Sequence, residues 1–352
     1  MAYTTIDDPS AHFQTLLYSG NASDSRALTN DGNSDLQPDL VWIKERSSTS
    51  VHQLIDSTRG GGLALSSNDT GADESFAYID TFDTDGFTLE TSDGSTNASG
   101  ETYVGWQWKA NGGTRTTNTE SGNNPAGGYQ VNTTAGFSIV DYTGTGAAGT
   151  MAHGLGAVPH LMIVRNREIS ASWLVYHHKN TAAPATDILQ LDSTAATYDG
   201  SGYWNDTAPT SSVFTINDSN DANKDADGHI AYIWTEIQGY SKFGSYTGNG
   251  NADGPFIYLG FKPAMLIYKR TDSTANWSIF DNKRSVYNQI SHQLNPNISN
   301  AEGDSDRGDF VSNGWKIRAT AGSTNADGGT YIFMAFAEHP FVSSEGVPCT
   351  AR

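Results

Sequence analysis

Short apolar runs broken by Gly, Asn, Asp, Ser and Thr cover the chain from end to end. The stretch 246–281 sets the plan. It reads as a short aromatic strand, a Gly/Asn/Asp turn and a second strand. Pro263 then precedes the β-rich run Ala264-Met265-Leu266-Ile267-Tyr268, and a polar turn leads into Trp277-Ser278-Ile279-Phe280. No window carries a convincing 3.6-residue stripe, so the predicted elements are strands of a β-sheet module.

The same plan occurs three times. An opening tag reads Tyr18-Ser19-Gly20, Tyr142-Thr143-Gly144 and Tyr246-Thr247-Gly248. A proline follows in each copy (Pro38, Pro159, Pro263), and after it come Leu40-Val41-Trp42-Ile43-Lys44, Leu161-Met162-Ile163-Val164-Arg165 and Met265-Leu266-Ile267-Tyr268-Lys269. Eighteen residues beyond each proline a polar residue ends the next strand: Asp56, His177 and Asp281. Later strands open at Asp85-Gly86-Phe87, Ser212-Val213-Phe214 and Asn313-Gly314-Trp315, and close at Tyr103-Val104-Gly105-Trp106, Ala231-Tyr232-Ile233-Trp234 and Tyr331-Ile332-Phe333-Met334. Landmarks held at matching intervals are the signature of a repeat. The expectation is an all-β chain of three tandem β-sandwich-like modules from an internal triplication, each near the size usual for a sandwich domain.

The boundaries follow from composition. Residues 1–12 form a polar N-terminal arm, either a loose tail or an arm that docks on a neighbour. Module 1 spans 13–110 and is followed by a Gly/Asn/Thr-rich linker at 111–136. Modules 2 and 3 span 137–240 and 241–342 with almost nothing between them, and 343–352 is a polar C-terminal tail. Modules 2 and 3 are therefore expected to pack as a rigid pair, with module 1 on a flexible joint.

Charge narrows the partners. Acidic residues outnumber basic ones 39 to 20, a formal charge of −19, which argues against a nucleic-acid footprint and an anionic membrane surface. No apolar run is long enough to span a bilayer, so no membrane insertion is expected. The start of the chain lacks the basic and apolar regions of a secretory signal. Cys349 is the single cysteine, so stability must come from packing or assembly.

Candidate chemistry is sparse. Asp218, Asp221, Asp225 and Asp227 offer hard oxygen ligands of the kind calcium prefers. Their spacing matches no EF-hand, and the sister segments carry far fewer acids, so a solvated hairpin loop is the competing reading. His177-His178 sit next to each other at a strand end, where successive side chains point to opposite faces and do not easily share one ion. Tyr198, Tyr203 and Trp204 lie in a Gly/Asp/Asn loop without a counterpart in the other modules. Exposed aromatics in that setting stack on a glycan or anchor a protein interface, while packing between modules explains them equally well. Asp304 with Asp306, and Asp225 with Asp227, are loop neighbours rather than acids across a cleft. No nucleophile with its base is visible, so the chain is expected to be no enzyme and to need no cofactor.

Several phrases resemble a family of bacteriophage virion proteins frequent among marine phages. They are MAYTTIDDPS (1–10), QPDLVWIK (37–44), ETYVGWQWKANGG (101–113), SYTGNGNADG (245–254), GFKPA (260–264), KRTDST (269–274) and GGTYIFMAFAEHPFVSSEGVP (328–348). The resemblance implies a structural component of the virion, on the particle exterior and assembled in the host cytoplasm. The expected place is the tail or fibre apparatus that adsorbs to the host, with capsid decoration or a head fibre as the alternative and a glycan-binding or glycan-depolymerising spike as a third. The expected partners are other virion proteins, further copies of the chain in a homotrimer, and a host surface glycan or protein.

Overall fold

The computed structural model describes residues 2–350 apart from 77, 91, 92 and 120, so the ends of the predicted arm and tail, residues 1, 351 and 352, lie outside the described residues. Strands take up 42% of the chain and helix 4%. Three inner sheets share one topology. In unit 1 the inner strands are, in chain order, Phe13–Ser19, Leu40–Glu45, Gln53–Asp56 and Thr102–Trp108. In unit 2 they are Phe137–Thr143, Leu161–Asn166, Leu174–His177 and Gly228–Trp234, and in unit 3 Ser241–Thr247, Phe261–Arg270, Ser278–Asp281 and Thr330–Pro340. Each sheet contains these strands in the order first, fourth, second, third, all antiparallel. Outside each lies a smaller layer built on a pair of strands: Arg26–Leu28 with Gly86–Leu89, Gly149–Ala152 with Val213–Ile216, and Phe256–Tyr258 with Gly314–Ile317.

Every residue of Leu40–Glu45 and Leu161–Asn166 is buried. A sheet with one wet face would alternate; a continuous buried run needs cover on both faces. One face packs on the unit's own outer layer. Val41 and Ile43 join Phe87 and Leu89, Met162 and Val164 join Phe214, and Leu266 and Tyr268 join Phe310 and Trp315. The other face packs on the other two units. Leu40, Trp42, Trp106 and Trp108, then Leu161, Ile163, Tyr232 and Trp234, then Met265, Ile267, Met334 and Phe336, form a single core. At its centre Trp108 meets Trp234 edge-on at 6.1 Å and Phe336 edge-on at 5.7 Å. These three residues hold the same register position, opposite Leu40, Leu161 and Met265.

The opening tags are clamps. Each tyrosine ring stacks on a ring of the fourth inner strand: Tyr18 on Tyr103, Tyr142 on His229 and Tyr246 on Tyr331, at 5.1, 4.9 and 4.7 Å. Each hydroxyl donates to a carbonyl of the facing loop, Thr96, Ala222 or Thr324, at 2.8, 2.5 and 2.8 Å. The glycine that follows lies against the backbone carbonyl of Ala98, Lys224 or Ala326, where a Cβ has no room. The next amide then donates to a fully buried asparagine: Asn21 to Asn97, Thr145 to Asn223 and Asn249 to Asn325.

Three expectations change. The stretch 111–136 contains two strands, Thr116–Asn118 and Gly127–Asn132, that extend the unit 2 sheet beyond Phe137–Thr143. The joint after unit 1 is pinned, because the buried Asp39 carboxylate accepts from the amides of Ala110, Gly112 and Gly113 at 2.7, 3.0 and 2.9 Å. The arm docks on its own chain: Thr4 donates to the Gln238 carbonyl, Tyr3 to that of Gly260, and Ile6 enters the shared core.

Candidate functional site

The polar landmarks at the third-strand ends meet at the seams between units. Asp56 of unit 1 accepts from the Tyr232 hydroxyl of unit 2 at 2.8 Å. Asp281 of unit 3 accepts from the Trp106 indole of unit 1 at 3.0 Å. His177 of unit 2 donates through Nε2 to the Phe333 carbonyl of unit 3 at 3.1 Å. Each unit thus reaches the fourth strand of the next, and the third closes back on the first. The one substitution in this set has a physical reason. Tyr232 and Trp106 supply a side-chain donor, whereas Met334 holds their register position in unit 3. A carboxylate there would be left unpaired; a histidine donor finds a backbone acceptor instead.

Two of these ends hold buried ion pairs. Arg59 Nε lies 2.6 Å from Asp56 and Arg284 Nε 2.6 Å from Asp281, all four side chains fully inaccessible. Arg59 also reaches Asp73, and Arg284 reaches Glu302. At the opposite ends of the sheets the second strands carry buried cations at matching places. Lys44 donates to the carbonyls of Glu45 and Ser48, Arg165 to that of Gly71 in unit 1, and Lys269 to those of Arg270 and Thr194 in unit 2. Burial draws Lys44 and Lys269 down to about 8. Loops dock in the reverse sense, each unit on the one before it: Ala171 on Thr70, Ala275 on Thr194, and Ser50 on Ser299, each through a 3.0 Å backbone bond.

Two seams leave clefts. Between units 2 and 3 a cleft of about 520 Å³ is bounded by His160, His178, Lys179, Glu236, Lys242 and Tyr258, with other residues beneath. Between units 3 and 1 a cleft of about 230 Å³ has Gln14, Lys283 and Glu338 on its walls. At the remaining seam Gln130, from the added strand, donates to Ser57 and Thr58 and accepts from Gly113. In the larger cleft His178 donates to the Phe243 carbonyl at 2.7 Å, and its ring meets His160 edge-on at 4.4 Å. His160 Nδ1 accepts from the Glu236 amide at 3.0 Å. Burial, then His178 and Lys179, holds His160 at about 4. The ring is neutral at pH 7 and serves as a hydrogen-bonding group, its Nδ1 accepting from the Glu236 amide.

The residues singled out in the sequence are dispersed. Asp218 and Asp225 are exposed. Asp227 is paired with Lys224 at 3.0 Å and accepts from Asn166 at 3.0 Å. Asp221 lies in a one-turn helix, its carboxyl raised by burial and lowered in part by Arg165. Among the described residues, no group of three His, Cys, Asp or Glu side chains could hold a metal ion. Trp204 is a correction: a one-turn helix, Ser201–Trp204, turns it into the unit 2 core, 1% exposed and edge-on to Tyr176. Tyr203 packs against the same core, and Tyr198 is left half-exposed beside it. His177 is sealed in its seam. The cleft residues His160, Lys179, Glu236 and Lys242 drew no attention in the sequence, where they stand apart on different strands and loops.

Buried histidines make the fold acid-sensitive. His52, His177 and His229 are each at most 1% exposed. Burial holds His177 at about 3, His229 at about 4 and His52 well below its usual value. His52 and His177 also accept an N–H at Nδ1, from Trp42 and Lys179. The unfolded chain takes up these protons near pH 6.5 and the folded chain does not, so stability is complete above pH 6.5 and falls as pH drops toward 4. Each histidine contributes a slope of roughly 1 kcal/mol per pH unit in that window. Asp141, Asp192 and Asp221, raised by burial, act in the opposite sense at lower pH. Urea midpoints measured between pH 7.5 and 5 are therefore expected to fall steadily; a flat profile would contradict the assignment.

No curated protein matches the chain significantly. Residues 8–340 match the model of the family described as a domain of unknown function, DUF7483, and the chain, with its three units on one core, belongs to that family.

Proposed function

We propose that the chain is a non-enzymatic structural protein of a bacteriophage virion, carried on the particle exterior in the tail or fibre apparatus that contacts the host. The phrases that resemble marine phage virion proteins support this reading. One structural observation carries it further: the buried ionisable residues Asp56, Arg59, Arg165, His177, Lys269, Asp281 and Arg284 bond across seams or hold seam-end turns in place. That is how a scaffold uses polar groups. Homotrimerisation remains part of the proposal, through surfaces outside the shared core, which the chain's own units fill.

Immuno-gold labelling of intact particles with an antibody to this chain tests the placement. Label confined to tails, at tens of copies or fewer per particle, is the expected result. Label spread over heads at hundreds of copies would replace it with the decoration reading, and absence from particles would overturn both.

A further inference from the structure

The three seams occupy equivalent positions, but their edges are treated differently. At the seam between units 1 and 2, Gly127–Asn132 pairs antiparallel with the outer edge of Phe137–Thr143, Gln130 opposite Ile139 and Gly128 opposite Asp141. The same segment covers the neighbouring outer strand. Asn124 accepts from the Thr150 amide at 2.9 Å, Gly149 lies against the Asn123 carbonyl, and the Tyr129 ring lies on Gly154. At the seam between units 3 and 1 the equivalent strand Phe13–Ser19 also ends its sheet, but Phe13 to Leu16 are all buried there, whereas Ser245 and Thr247 are exposed.

At the seam between units 2 and 3 no strand among the described residues takes that place, and His178 covers the edge only at Phe243. Ser241–Thr247 pairs with Thr330–Pro340 alone and ends its sheet. In an antiparallel strand the N–H and C=O of one residue point to the same side, and alternate residues share that side. The Phe243 carbonyl turns outward to His178, so Ser245 and Thr247 face outward as well. Among the described residues, no protein group bonds the amides of Phe243, Ser245 or Thr247 on that side. Beside this edge Phe256 and Tyr258 are each 48% exposed. Phe256 holds the register position of Thr150, which the added segment bonds in unit 2.

We infer that the seam between units 2 and 3 is a docking site for an extended strand of a partner polypeptide, added antiparallel to Ser241–Thr247 as Gly127–Asn132 is added to Phe137–Thr143. An exposed edge with free amides is a template for another strand, and strand addition draws its affinity from main-chain bonds and its specificity from pockets for alternate side chains. The partner strand carries small residues where it crosses the edge and an apolar side chain to cover Tyr258 and Phe256. Lys179 and Lys242 outnumber Glu236 in the cleft, so acidic flanks suit it. A second copy is disfavoured because its own strand of this kind is already spent at the first seam, and two chains of charge −19 repel. The inference stands apart from any placement in a virion.

The probe is a synthetic peptide spanning residues 124–133 with an aspartate added at each end, capped at both ends and titrated into the full chain. Hydrogen exchange at the amides of Phe243, Ser245 and Thr247 is the readout. Saturable slowing of at least about tenfold is expected. It should vanish in Ser245→Pro, which removes an outward amide and leaves the ladder to Thr330–Pro340 intact, since edge strands tolerate proline. Tyr258→Ala, an exposed truncation, should weaken peptide binding by about threefold or more; this variant decides the matter if Ser245→Pro does not fold. No slowing at millimolar peptide, or equal slowing in both variants, would overturn the inference. So would a concentration-dependent dimer that protects the same amides, since that would give the edge to a second copy.

Discussion

Trp108→Ala is expected to lower the stability of the whole chain by about 3–5 kcal/mol, the range for removing a large aromatic from a well-packed core. The residue is 1% exposed and touches all three units through Phe13, Trp234 and Phe336. Among the described residues its indole nitrogen has no partner, so packing rather than a hydrogen bond carries the effect. Trp108→Phe should accordingly cost far less, about 1 kcal/mol. The loss in Trp108→Ala should lower the midpoints of units 2 and 3 as much as that of unit 1. Urea denaturation followed by hydrogen exchange in each unit checks both magnitude and reach.

Asp281→Ala should cost a similar amount, about 3–5 kcal/mol, because it strands a buried charge. Arg284 would retain Glu302 and two backbone carbonyls but lose its 2.6 Å partner in a site closed to water. The amides of Lys283 and Arg284 and the Trp106 indole would lose their acceptor too. Trp106→Phe removes only the donor across the seam. A double-mutant cycle between the two should return a coupling of about 0.5–3 kcal/mol. A coupling near zero would mean that the bond between units 3 and 1 contributes nothing to closure.

Much of this fold was legible from periodicity. The proline, the apolar run and the polar stop at Asp56, His177 and Asp281 mark inner strands with one strand order. The clamp role of the opening tag was not legible, since the asparagine it bonds lies nearly eighty residues away in sequence. The stretch 111–136 reads as linker because Gly127-Gly128-Tyr129-Gln130-Val131-Asn132 is poor in β-branched residues; pairing to a preformed edge, not propensity, makes it a strand. Trp204 reads as exposed because its neighbours are polar, and only the one-turn helix shows which way it points.

The shared core did leave a trace. Leu40-Val41-Trp42-Ile43 and Leu161-Met162-Ile163-Val164 are unbroken apolar runs, not the alternating pattern of a sheet with one wet face. Such runs require cover on both sides, which a free-standing sandwich module does not supply. The cleft between units 2 and 3 left none, because His160, His178, Glu236 and Lys242 come together only when the units close on one another. Interfaces of this kind are set by tertiary contact, and no local pattern encodes them.

Closure of three units on one core is the claim from which the seams, the clefts and the acid sensitivity follow. Differential scanning calorimetry of the intact chain tests it most directly. A single transition is expected, with the van't Hoff enthalpy equal to the calorimetric enthalpy, since units that share a core melt together. An early separate transition confined to residues 13–110, with the rest still folded, would contradict it.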